Sequence, residues 1–286
     1  MRTLKIMYSK YCPDLIKKIY RQRKVNRILS FYDGKVLNDE ETIVLKNIKK
    51  NGVRMFPYSF VEKYNFDLDV HCDDLNNQYV LHNNKKLFFP KEVTRAQIKT
   101  KYLALLAEQD PESPHNYFTD DFKVDENDVF FDIGSAEGLI SLDIIDRVKK
   151  AFIFECEEKW SSALSLTFLD YGNRAEIVNK YVSDKDIEGH AKIDEYVNSE
   201  YDSLVFKLDV EGSEMEVLKG MNGVLSSNIN IKIAICTYHR NEDFKEISSF
   251  LAEKGFDIKT SKGYMIFDPL NPPYLRRGLI RATKKA

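Results

Sequence analysis

Val129-Phe130-Phe131-Asp132-Ile133-Gly134-Ser135-Ala136-Glu137-Gly138 is the stretch whose reading decides the fold. Five residues of strand type run straight into a glycine-containing turn, and a helical pattern follows at 139–149. Four further apolar runs of strand length lie downstream: AFIFE (151–155), AEIVN (175–179), LVFKL (204–208) and IKIAICT (231–237). Helical patterns at 159–169, 214–226 and 242–254 fall between most of them. Strands alternating with helices predict an α/β fold, a parallel sheet covered on both faces. FDIKT (256–260), YMIFD (264–268) and GLIRAT (278–283) are expected to add antiparallel edge strands. Neither an internal repeat nor a low-complexity segment is found.

A glycine turn from strand to helix is where doubly wound sheets bind nucleotides, because the backbone approaches closely and the helix start offers free N–H groups. The dinucleotide fingerprint is absent, since the spacing is G-x-x-x-G with Ala136 in the middle. Asp132 and Glu137 would repel a pyrophosphate. They suit a cofactor with positive charge and no phosphate, such as S-adenosylmethionine. Glu155, at the end of the next strand and seventeen residues beyond Gly138, stands where a carboxylate accepts both ribose hydroxyls of an adenosine. Helix capping or plain solvation is its alternative role.

With these residues in place, the chain resembles the FkbM-type S-adenosylmethionine-dependent methyltransferases. Phe131-Asp132-Ile133-Gly134, Phe154-Glu155 and Lys192-Ile193-Asp194-Glu195-Tyr196 are similar to successive family motifs. The most specific match is Phe206-Lys207-Leu208-Asp209-Val210-Glu211-Gly212-Ser213-Glu214, against the pattern K-[ILM]-D-[VI]-E-G-[AS]-E. The usual proline after the ribose acid is Cys156 here. The resemblance spans roughly residues 120–268. It implies a class I, Rossmann-like methyltransferase sheet and O-methylation of a hydroxyl on a sugar, glycan or other small molecule. By position, Asp132 and Gly134 would line the methionine end, with Ser135, Glu137 and Gly138 in the same cofactor loop and Asp209 facing it. Ser183 and Asp184 would lie near the adenine.

Methyl transfer to a hydroxyl needs an aligned acceptor and a place for its proton. Asp209 ends one strand and Tyr238-His239 follows its neighbour, so Asp209, Glu211 and His239 converge at the open end of the sheet. His239 or Asp209 would then act as general base. A divalent-metal site built from Asp209, Glu211 and His239 is the less favoured alternative, and mere stabilisation of the following helix is another. Lys207 joins the candidate catalytic set; as a lysine in a buried-looking strand it calls for a carboxylate partner, Asp132 or Glu211. His115, in a loop before the first strand, is a candidate lid residue. His71, His82 and His190 are expected in water, Cys156 and Cys236 as packed thiols, and Trp160 beside the adenosine.

Upstream, residues 1–109 form an expected accessory segment to a domain at 110–286. It holds helices at 13–30, 41–49 and 92–109, strands at 53–56, 78–82 and 86–89, and a hairpin turn at 82–85. Charge divides the same way. The overall charge is −2, yet residues 1–30 carry nine Lys/Arg against the single acid Asp14, and the remaining 256 residues carry a net −10. The basic head is expected to pack on the acidic body or to contact a partner chain or anionic membrane surface. No nucleic-acid face is expected, for want of interleaved aromatic and basic residues. Four scattered cysteines without a CxxC pair, no secretory leader and no apolar run of the ~18–20 residues that span a bilayer point to a reducing cytoplasm. An NAD-dependent oxidoreductase or epimerase, which Ala136 and Glu137 disfavour, and a non-catalytic adaptor remain the alternatives.

Overall fold

The computed structural model describes residues 14–286; the expectations placed on Arg2, Lys5, Lys10, Cys12 and Pro13 lie outside them. Helices α1 (Asp14–Tyr32) and α2 (Asp39–Asn51) come first. A capping box opens α2: the Asn38 side chain accepts from the Glu41 backbone N–H and the Glu41 carboxylate accepts from that of Asn38. β1 (His71–Cys72), β2 (Gln78–His82) and β3 (Lys85–Phe88) form a small antiparallel sheet. Its hairpin turns on Asn83 and Asn84, whose φ values of 50° and 65° are what a two-residue turn twisted with the strands requires. Helix α3 (Arg95–Glu108) follows, capped by Thr94 and Gln97 in the same manner. Residues 53–56, expected as a strand, find no sheet partner and run irregularly, with Phe56 buried and the Met55 carbonyl accepting from the Ile266 N–H.

The large sheet is built from β4 (Val129–Ile133), β5 (Lys150–Phe154), β6 (Ala175–Val178), β9 (Ser203–Leu208), β10 (Asn230–Cys236), β11 (Asp257–Thr260) and β12 (Leu279–Lys284). A minor pair, β7 (Tyr181–Val182) and β8 (His190–Ala191), stands apart. The order is β11-β12-β10-β9-β4-β5-β6, and the ladders from β10 through β9, β4 and β5 to β6 are all parallel. β12 alone runs antiparallel, paired with both β10 and β11. The antiparallel strand thus sits one place in from the edge, and YMIFD contributes only a bridge from Met265 to Arg276. Helices α4 (Leu139–Ile144), α5 (Glu158–Thr167), α6 (Glu214–Gly220), α7 (Asn222–Leu225) and α8 (Asp243–Glu253) connect the strands. Strand order reverses between β4 and β9, which is where open α/β sheets leave a crevice at their carboxyl ends.

Register explains the two faces of that crevice. Phe131 pairs with Phe152 on one side and Phe206 on the other, and the three rings stack in a row at 4.9 and 4.8 Å. One residue along, on the opposite face, Asp132 pairs with Lys207. Both are buried, with Nζ 3.0 Å from the Asp132 carboxylate; Ser141 donates to its second oxygen at 2.7 Å. The described accessory elements have no core of their own. Val25, Ile28 and Ile48 pack with Tyr264 and Leu275 from the tail, while Val80, Leu87, Ile98 and Tyr102 pack with Phe130, Leu142 and Leu164.

Replacing Lys207 by Met strands a charged Asp132 inside the sheet and is expected to cost about 3–5 kcal/mol in urea denaturation. Adding Asp132→Leu in the same chain should restore most of that loss. A single variant as stable as wild type would show the pair to be dispensable.

Candidate active site

Two cavities open side by side at the carboxyl ends of β4 and β9. The first, about 410 Å³, runs from Gly134 and Ala136 past Phe154, Glu155 and Cys156 to Lys180, Tyr181 and Val182. The second, about 350 Å³, lies toward α3 and is bounded by Lys101, Glu108, Tyr117, Ser135, Glu137, Tyr238 and Phe267, among others. Gly134, Ala136, Trp160, Asp209 and Glu211 line both. The two spaces therefore meet at the loop after β4 and the end of β9.

Glycine is required at the junction. Gly134 has φ 78°, and a Cβ there would stand 2.0 Å from the Asp209 carbonyl oxygen. Gly138, at φ 75°, starts α4 so close to α5 that a Cβ would meet Leu164 at 2.5 Å. Between them Ala136 takes an unusual φ of 45°, and its N–H donates to Glu155 at 2.9 Å. The other Glu155 oxygen accepts from the Glu157 N–H at 2.8 Å. Those bonds fix the carboxylate at the cavity wall.

The predicted residues divide into those that face the cavities and those behind them. Gly134, Ser135, Glu137, Glu155, Asp209, Glu211 and Lys207 face them. Ser135 is buried and its hydroxyl has no partner among the described residues; Glu137 meets Lys101 at 3.3 Å. Asp132 lines neither, its carboxylate being taken up by Lys207 and Ser141. Lys207 also donates to the Gly134 carbonyl, so its ammonium is spent on holding the loop. Burial opposes that charge, but Asp132 and Asp209 outweigh it and raise the Lys207 pKa. Gly138 lines neither cavity and is packed against α5. Ser183 is fully buried against His190 and the Gly220 backbone and Asp184 is exposed; the cavity end expected of them is formed by Lys180, Tyr181 and Val182 instead.

His239 also stands behind the wall. Its side chain is 3% exposed, with Nδ1 2.8 Å from Glu214 and Nε2 3.4 Å from Asp209 and 3.6 Å from Glu211. Burial works to lower its pKa; the bond to Glu214, and the charges of Glu214, Asp209 and Glu211, raise it on balance. Glu214, equally buried, takes the Val210 and Gly212 N–H groups and so shapes the turn that places Glu211 at φ 54°. His115 is no lid. It is buried among Tyr117, Tyr238 and Asp209, and burial lowers its pKa to about 4, leaving it neutral. The Tyr117 hydroxyl donates to Asp209 at 2.7 Å. Burial would raise the Asp209 pKa, but Lys207, His115, His239 and that hydroxyl hold it below the usual carboxylate value.

Several residues facing the second cavity, Lys101, Tyr117, Phe267 and Glu108 among them, were absent from the sequence-derived set, and Glu108 stands out by its electrostatic setting. Glu108, the last residue of α3, has no hydrogen bond or ion pair among the described residues. Burial, then the charges of Asp209 and Glu137, push its pKa up to about 8, against Lys207 and Lys101. The helical period carried the signal, since Glu108 extends the inward stripe of Ile98, Tyr102 and Leu105. Other side chains depart from expectation too. His82 is buried between Tyr102 and Asp143, at 2.9 and 2.8 Å, while Cys156 is exposed. Cys236 is buried as expected.

The Methyltransferase FkbM domain matches residues 108–258, more than half of the chain. The protein belongs to the FkbM methyltransferase family. Among solved structures, this FkbM-family chain is similar to methyltransferase FkbM from Methylobacillus flagellatus KT, with 18% identity over 66% of this chain and 54% of that one, at a TM-score of 0.47. It therefore spans about half the length of that relative. It is also similar to the Streptococcus mutans protein SMU.1697c in complex with SAH, with 17% identity over 56% of this chain and 90% of that one, at a TM-score of 0.40. A third likeness is to an rRNA methylase from Streptococcus thermophilus, with 17% identity over 57% of this chain and 90% of that one, at a TM-score of 0.37. No curated protein matches in sequence. Among the described residues no helix is long and apolar enough to cross a membrane.

Proposed function

We propose that the chain transfers the methyl group of S-adenosylmethionine to a hydroxyl of a sugar, glycan or other small molecule. The observation that carries this reading is the junction of the two cavities at Gly134 and Asp209. Adenosine belongs in the first cavity, with its ribose on Glu155 and its base toward Tyr181 and Val182. The acceptor belongs in the second, and the sulfonium between them.

A sulfonium is already a good leaving group, so alignment and exclusion of water supply most of the catalysis. Asp209, kept ionised by its neighbours, suits the cationic end of the cofactor. For the same reason it is a weak proton acceptor. His239 is screened from the cavity by Asp209 and serves to position it. Glu108 is the better base: it faces the acceptor space and is tuned near neutrality. A sulfonium arriving nearby favours its ionised form and so lowers its pKa. The adjacent Trp160 and Phe267 offer apolar ring faces of the kind that sugar C–H surfaces pack on.

Calorimetry with S-adenosylhomocysteine is expected to show binding that Glu155→Ala weakens at least about tenfold, since hydrogen bonds to a charged group are lost; no binding by the wild type would sink the proposal. The ratio of S-adenosylmethionine to S-adenosylhomocysteine affinity isolates the sulfonium charge. Deprotonated Glu108 attracts that charge, so the ratio should climb several-fold as pH rises through about 8. In Glu108→Gln the ratio should stay flat, and a wild-type ratio independent of pH would remove Glu108 from this role.

A further inference from the structure

A larger cavity, about 660 Å³, lies on the other side of the Tyr238–His239 backbone and is used by nothing described above. It is framed by the loop after β10, the turn at 260–264 and the tail at 273–277, and it concentrates positive charge. Arg240, Lys262, Arg276 and Arg277 line it, against the one carboxylate Glu40. Glu40 is already held by Arg277 and by the Gly263 N–H.

Arg276 is the decisive residue. It is 8% exposed, yet it makes no ion pair among the described residues, and its Nε is buried without a partner. Nη1 donates to the Tyr238 and His239 carbonyls at 2.6 and 2.8 Å, which fixes the group, and its Cζ lies 5.9 Å from the Phe267 ring centroid, with no carboxylate paired to it among the described residues. Burial lowers its pKa, with Asp268 and Asp243 only partly opposing. A buried cation without an anion is costly, and the cost is removed when a ligand brings the missing charge. Lys262 is exposed and likewise unpaired among the described residues. Ser261, which also lines the space, accepts from the Leu279 N–H at 3.0 Å, so its own hydroxyl proton is not used by that bond.

We infer that this cavity binds the phosphate group of a phosphorylated small molecule. Guanidinium, ammonium and hydroxyl donors converge there with one neutralised acceptor among the charged groups, which suits an anion with several oxygens better than a single carboxylate. The volume exceeds that of phosphate alone, leaving room for the molecule that carries it. The site is independent of the methyl-transfer reading, because none of its charged residues lines the two cavities at Gly134.

Isothermal titration of the full chain with inorganic phosphate, against sodium acetate and sodium chloride at matched ionic strength, tests the assignment. Phosphate should bind and raise the melting temperature, as any ligand selective for the native state does. Arg240→Ala combined with Lys262→Ala, both at the exposed rim, should weaken binding by about tenfold while the chain stays folded. Arg276→Lys should weaken it as well. Phosphate indistinguishable from chloride, or binding unchanged in the rim variant, would overturn the site. Acetate binding as tightly as phosphate would overturn the phosphate assignment.

Discussion

The buried pair of Lys207 and Asp132 is the constraint on which the rest of the architecture depends. It joins the two central strands at the point where strand order reverses, one residue before each strand ends. The same ammonium holds the Gly134 carbonyl, so the loop over the sheet and the end of β9 are tied to one charge. Gly134 must be glycine because its φ is 78° and a Cβ there would stand 2.0 Å from the Asp209 carbonyl oxygen. Asp209 in turn stays ionised because Lys207 is the largest of the influences stabilising its charge. A pair that is weak evidence for stability in general acts here as a positioning device.

Around that point the polar groups form two layers. Asp209 belongs to the exposed one and faces both cavities; His239, Glu214 and His115 belong to the hidden one. Glu214 orients the His239 ring and organises the turn at 210–212 with the same oxygen. The second cavity is completed by α3, from a part of the chain that the first strand-and-loop motif gives no reason to place there. Helix α3 brings Glu108 and Lys101 to the wall, and the tail brings Phe267.

How much of this was legible follows from what each signal depends on. The parallel strands were legible because each is a continuous apolar run bounded by turns, and the place of Glu155 at the cavity wall because it directly follows a strand. The strand at 53–56 failed because its backbone is satisfied by a distant residue, Ile266, that no local pattern announces. Ser183 and Asp184 follow directly on β7, whose residues Tyr181 and Val182 are the ones that line the cavity, and which residues of a short strand face a ligand is not written in the local pattern. His239 was correctly expected near Asp209, but burial decides which of two adjacent groups meets a ligand, and burial is a tertiary property. Under the proposed function, part of the acidity of the body has a local reason at Asp209, Glu137 and Glu155, which line the two cavities. The basic character of α1 is exposed at Lys18, Arg21, Arg23 and Arg27 and serves no contact with that acidic site.

A crystal structure with S-adenosylhomocysteine bound would test the central claim most directly, that one cofactor bridges the two cavities at Gly134 and Asp209. Such bridging places the ribose hydroxyls on Glu155, the base beside Tyr181, and the sulfur at the junction facing the space that Glu108 lines. A cofactor lying wholly within one cavity, or sulfur turned away from Glu108, would contradict it.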